Sequence, residues 1–132
     1  TGNRSRPAVE IINEYSTEDG IDFSILEKYF RPPQSIQAII VMNSALVYPI
    51  MKSLGSKKIR IPQDVALISY EDSTGFEFTF PPVTALKRPL TGLAIKAANI
   101  IWAEIKNSGK SKFRRQVSIQ PSLVIRKSCG TL

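Results

Sequence analysis

Short apolar runs alternate along this chain with stretches whose apolar residues recur every three or four positions, which predicts strands interleaved with helices. Ala8 to Ile12 reads as a first strand. A helix follows, capped at Ser16 or Thr17 with Glu18 and Asp19 in its first turn. Ile21, Ile25, Leu26, Tyr29 and Phe30 fall near one face of it, and Pro32-Pro33 stops it. Gln37 to Met42 is almost unbroken apolar, as expected for a strand covered on both faces. The next helix is expected from a Ser44 cap to a Gly55 terminator, either kinked at Pro49 or starting late with Pro49 in its first turn. After a bend at Ile61-Pro62-Gln63-Asp64, Val65 to Tyr70 is the strongest strand candidate. Phe76, Phe78 and Phe80 alternate ahead of Pro81-Pro82, predicting an extended arm with three aromatics on one side. From Pro89, the residues Leu90, Leu93, Ala94, Ala97, Ala98, Ile101 and Ile105 mark a helix through about Lys106. A basic loop, Asn107 to Arg115, leads to a terminal extended segment ending near Ile125. The expected fold class is α/β: an open, mainly parallel sheet with helices on both faces.

Composition narrows what such a sheet can do. At 132 residues the chain is about one domain long, and 42% hydrophobic with 22% charged residues is ordinary for a globular protein. The net charge of +7 could favour nucleic acid, but the cations scatter. Lys57, Lys58 and Arg60 follow one helix, Lys106 to Arg115 another, and Arg126-Lys127 close the chain. Solvated loops and helix C-termini account for them. Histidine is absent, which removes triad catalysis and the commonest metal ligand. The single cysteine, Cys129, cannot form an intramolecular disulfide. No metal or cofactor is implied, no apolar run reaches the roughly 20 residues of a membrane span, and a reducing, cytoplasmic setting is expected. Gly55-Ser56-Lys57-Lys58 follows a helix, whereas a phosphate loop follows a strand and opens one.

Candidate chemistry sits at strand ends. In open parallel sheets, ligands bind beyond the carboxyl ends of the strands. Asn43 and Glu71 fall there, after two strand candidates, and together offer two amide donors with carbonyl and carboxylate acceptors for neighbouring hydroxyls of a polar ligand. The structural alternatives are a helix cap for Asn43 and a local turn for Glu71. The phenylalanine stripe is core or a partner surface, and interface is favoured because an arm outside a sheet rarely buries a whole face alone.

Taken together, Ala38-Ile39-Ile40-Val41-Met42-Asn43-Ser44-Ala45, the run Ile61 to Asp72, Pro81-Pro82-Val83-Thr84 and the closing Pro121 to Ser128 resemble successive landmarks of the LacI/GalR family of transcription regulators. The resemblance runs from about Ser16 to Gly130. The chain departs from the family where Ser44 stands in place of an aspartate after Asn43, and where Ser69-Tyr70-Glu71 replaces a Gly-Tyr-Asp or Gly-Phe-Asp ending. The resemblance implies that residues 1–132 are a partial effector-binding domain, the C-terminal lobe of a periplasmic-binding-protein-like fold. The first lobe and the N-terminal helix-turn-helix headpiece that reads operator DNA lie outside this sequence. It further implies a sugar-like small-molecule effector held by Asn43 and Glu71. A homodimer is implied too, formed through Tyr48, Ile50 and Met51 on the helix after Asn43 and through Phe76, Phe78 and Phe80 on the arm. Effector binding between the lobes would shift hinge closure and the spacing of the two headpieces. The competing readings are a solute-binding protein of the same two-lobed fold, an α/β enzyme fragment with Glu71 as catalytic carboxylate, and a nucleic-acid module using the basic loop.

Overall fold

The computed structural model describes residues 29–30, 36–106 and 116–130. The first strand expected from sequence lies outside them, as does most of the helix after it and the basic loop. Of that helix only Tyr29 and Phe30 are described, and Tyr29 is buried.

Among the described residues, four short strands form one sheet in the order β1 (Ala38–Val41), β2 (Ala66–Ser69), β3 (Thr84–Lys87) and β4 (Ser122–Val124). The first three are parallel, with Ile39 opposite Leu67 and Ser69 opposite Ala85, and β4 runs antiparallel to β3. The expected open, mainly parallel sheet is therefore present.

Between β1 and β2 the chain crosses over through α1 (Val47–Ser56). Asn43, not Ser44, makes the cap: its Oδ1 accepts from the Ala45 amide at 3.0 Å at the head of a 3-10 turn, Ser44–Leu46. Starting α1 at Val47 puts Pro49 in the first turn, where its missing amide costs nothing, and this resolves the choice left open by the sequence. The helix runs past Gly55 and ends with Lys58 at φ 60°, the left-handed conformation that glycine usually supplies.

Val47, Ile50 and Leu54 recur on one side of α1 and pack on Val41, Leu67 and Ala85 of the sheet, with Val65, Phe76 and Val83 filling the rest of the core. Each fully buried large apolar side chain contributes about 1.5–3 kcal/mol. The continuous apolar run of β1 suggested cover on both sides. Among the described residues β1 is an outermost strand, and Ile40 and Met42, on the side away from α1, are each 63% exposed. The long helix α2 (Leu90–Lys106) has the expected bounds, yet none of its residues is buried.

The phenylalanine arm is where sequence and structure part. Residues Thr74–Glu77 form a 3-10 turn, and Phe76 is fully buried while Phe78 and Phe80 are 82% and 97% exposed. The three rings do not share a side, because the turn breaks the two-residue alternation. Gly75 lets the turn approach α1: a Cβ there would stand 2.1 Å from the Tyr48 hydroxyl, and the Tyr48 ring meets Phe76 edge-on at 5.8 Å. Beyond β4 the chain returns to the sheet. Ser128 sits between β2 and β3: its carbonyl accepts from the Leu67 amide, and its hydroxyl donates to the Leu67 carbonyl at 2.5 Å while accepting from the Thr84 amide at 2.8 Å.

Candidate functional site

The carboxyl ends of β1, β2 and β3 bring together side chains far apart in sequence. Glu71, just past β2, has its Oε2 bonded by the Ser44 hydroxyl at 2.9 Å, across from the end of β1. Its Oε1 receives the Arg88 guanidinium, which projects from the end of β3 just ahead of α2. Ser69 steers the backbone here, donating to the Glu71 carbonyl at 2.7 Å and accepting from the Glu71 amide. The Ser44 hydrogen bond first, and then the Arg88 charge, hold the Glu71 carboxyl below its ordinary range, so it is ionised at neutral pH.

One residue on, Asp72 faces a different arginine. Arg126 Nη1 donates to Asp72 Oδ1 at 2.8 Å and Nη2 to Oδ2 at 3.2 Å, while Nη1 also reaches the Val83 carbonyl at 2.6 Å. The Ser73 amide donates to the same Oδ1. The Arg126 hydrogen bonds are the main reason the Asp72 carboxyl lies below its usual range, with burial opposing them. Two parallel bonds between planar groups fix orientation as well as charge, so this pair pins the returning C-terminal segment to the turn after β2.

Between these pairs lies an open groove of about 390 Å³, lined by Glu71, Asp72, Glu77, Lys87, Arg88 and Arg126 among others. Such a site can donate and accept several hydrogen bonds from a polar ligand. Among the described residues no group of three or more His, Cys, Asp or Glu is placed to hold a metal ion, and no helix is long and apolar enough to cross a membrane.

Of the residues singled out from sequence, Glu71 lines the groove and Asn43 does not: its side-chain oxygen caps the 3-10 turn. Ser44, Arg88 and Arg126 were not singled out. No strand was expected between Pro82 and Pro89; the available signal was the apolar Val83, Ala85 and Leu86 just ahead of a helix-starting proline, which would put Arg88 at a strand end. Of the six residues expected at a dimer surface, Ile50 and Phe76 belong to the chain's own core and present no surface, which corrects that expectation for both. Tyr48, Phe78 and Phe80 are exposed and Met51 is partly so. A second groove, of about 520 Å³, is lined by Met51, Ile59, Arg60, Ile61, Gln63 and Phe80 among others.

An open, mainly parallel sheet with a polar groove at the carboxyl edge of its strands is the arrangement in which α/β proteins bind ligands. The chain belongs to the periplasmic binding protein-like domain family, which residues 4–129 match. It is 27% identical over 118 residues to the HTH-type transcriptional repressor PurR of Histophilus somni (strain 2336), covering 89% of this chain and 34% of that protein. Against PurR of Haemophilus influenzae (strain PittEE) it is 27% identical over 128 residues, covering 96% and 37%. Among solved structures, a protein described as a LacI-family transcriptional regulator from Sanguibacter keddieii superposes with a TM-score of 0.65 at 25% identity, over 74% of this chain and 38% of that one. A LacI-type regulator structure from Bacillus cereus subsp. cytotoxis shares the fold with a TM-score of 0.68 at 21% identity, over 79% and 36%. These similarities make the chain part of a LacI/GalR-type effector-binding domain. It spans about a third of the length of the curated relatives it matches.

Proposed function

We propose that this chain is the ligand-sensing lobe of a cytoplasmic LacI-type transcription regulator, binding a small sugar-like effector at the carboxyl edge of β1, β2 and β3. The observation that carries the reading is the Ser44–Glu71–Arg88 constellation, which joins three strand ends at the mouth of a groove. The Glu71 carboxylate can accept from one ligand hydroxyl while the Arg88 guanidinium beside it donates to a neighbouring one. Effector binding shifts the lobe equilibrium of the whole protein and, through a headpiece outside this chain, its affinity for operator DNA. The exposed Tyr48, Phe78 and Phe80 beside the Met51 groove form the homodimer surface in this reading. Exposed aromatics are enriched at such surfaces, and one of the three, Phe80, lines the groove with Met51, Ile59 and Ile61.

The test uses the full-length protein and its operator, with affinity followed by fluorescence anisotropy across a panel of small sugars and sugar phosphates. The expected result is at least one ligand that shifts affinity tenfold or more, with Arg88→Ala removing the shift. A shift that survives both Arg88→Ala and Glu71→Ala moves the effector site elsewhere, and a panel with no shift at all contradicts the reading.

A further inference from the structure

We propose that the ligand of this groove carries an oxyanion, a phosphate or carboxylate, and that the Glu71 side chain occupies Arg88 in its place until the ligand displaces it. The inference rests on reading the groove as the effector site and adds the charge class of what enters it.

Three sources of positive potential line the groove. Arg88 and Lys87 are consecutive, exposed and both line it, and Lys87 makes no ion pair among the described residues. Leu90, the first residue of α2, lines it too, so the amino end of a 17-residue helix with its positive pole opens there. Against these stand two further carboxylates in the lining: Asp72, which is compensated through its two bonds to Arg126, and Glu77.

The Glu71 contact has the character of a removable occupant. Its two oxygens have different partners, Ser44 on Oε2 and Arg88 on Oε1, so the carboxylate can release the arginine while the serine still holds it. The side chains of the pair are 44% and 30% exposed, and ion pairs this open to water are held weakly against competing ions. A phosphate offers the guanidinium two parallel bonds and more charge than one carboxylate oxygen, and Lys87 stands beside it to take a further oxygen. A neutral hydroxyl brings no charge to replace the one that Arg88 gives up, so an uncharged sugar does not displace Glu71.

The test is calorimetric titration of inorganic phosphate, and separately of acetate, into the full-length protein as wild type, Glu71→Gln and Arg88→Gln. The two anions distinguish a phosphate-bearing from a carboxylate-bearing ligand. For the preferred anion, Glu71→Gln is expected to tighten binding about tenfold, because the competing carboxylate is gone, and Arg88→Gln to remove the site. The opposite sign for Glu71→Gln, no change in it, or binding that persists in Arg88→Gln overturns the proposal. A parallel titration of D-glucose against D-glucose 6-phosphate, read on operator affinity, separates this failure from failure of the effector-site reading. A response to glucose alone keeps the groove as an effector site and sinks the anion. Phosphate binding that follows the expected pattern, with neither sugar changing operator affinity, keeps the anion site but speaks against the regulator reading.

Discussion

Glu71 and Asp72 are neighbours in sequence, each is ionised, and each is answered by an arginine, yet they do different work. The Asp72–Arg126 pair has side chains only 17% and 16% exposed, two parallel bonds, and a third from the same guanidinium to the Val83 carbonyl. Glu71 and Arg88 share one contact at the mouth of the groove, more than twice as open to water at the arginine end. Solvent access and the number of bonds per arginine, more than the residue types, separate a pair that holds the chain together from one that a ligand can enter. A charge removed from a nearly enclosed pair leaves its partner stranded, whereas water covers the loss at an open one.

The largest effect that would break this contrast is expected at Arg126. Arg126→Met strands the Asp72 carboxylate and removes a donor from the Val83 carbonyl, and urea denaturation should show a loss of about 2–3 kcal/mol. Arg88→Met should leave the urea midpoint unchanged within error. Equal losses would erase the distinction.

Acid is the next lever. The Asp72 carboxyl has a lower pKa folded than unfolded, so its contribution is fully present above the unfolded value of about 3.9 and is lost as pH falls through the folded one. Urea midpoints taken from pH 6 down to pH 3 should therefore fall at the acid end in the wild type and flatten in Arg126→Met. A variant that keeps the full acid slope would assign it to other carboxylates.

A smaller effect is expected at Glu71 itself. Ser44 is the leading reason that its carboxyl is lowered, so Ser44→Ala should raise the Glu71 titration midpoint in carbon-detected NMR more than 1 M salt does in the wild type. The reverse order would make the charge of Arg88 the dominant partner. The smallest effect belongs to an exposed pair within one turn, which serves as a yardstick. Arg60 clasps Asp64 through Nε at 2.9 Å and Nη2 at 2.7 Å, holding that carboxyl at about 2. Arg60→Ala should return Asp64 toward about 3.9 with no measurable change in the urea midpoint.

The same contrast explains what the sequence made legible. β1, β2 and α2 were readable because their signals are local: apolar runs in the strands, and apolar residues at helical spacing behind Pro89. The late start of α1 was readable as one of two outcomes, because proline restricts a helix in only a few ways. The strand-end position of Glu71 followed from topology alone. Its partners did not, since Arg88 lies 17 residues away and the Asp72–Arg126 contact spans 54, separations that no periodicity records. Phe76 was misjudged for a related reason. Alternating phenylalanines look extended, but a 3-10 turn, lying close to Tyr48 at Gly75, drives one ring into the core and leaves two outside. Ile50 shows the converse, since a helix residue offered to a partner is also a helix residue available to its own sheet.

The most direct test follows the two arginines in one experiment. Side-chain Nε–H signals of Arg88 and Arg126 are recorded in the full-length protein while D-glucose 6-phosphate is added. The account predicts that Arg88 moves and saturates while Arg126 stays in place, still bonded to Asp72 and Val83. An Arg88 signal that does not respond, or an Arg126 signal that moves with it, would contradict the division between the two pairs.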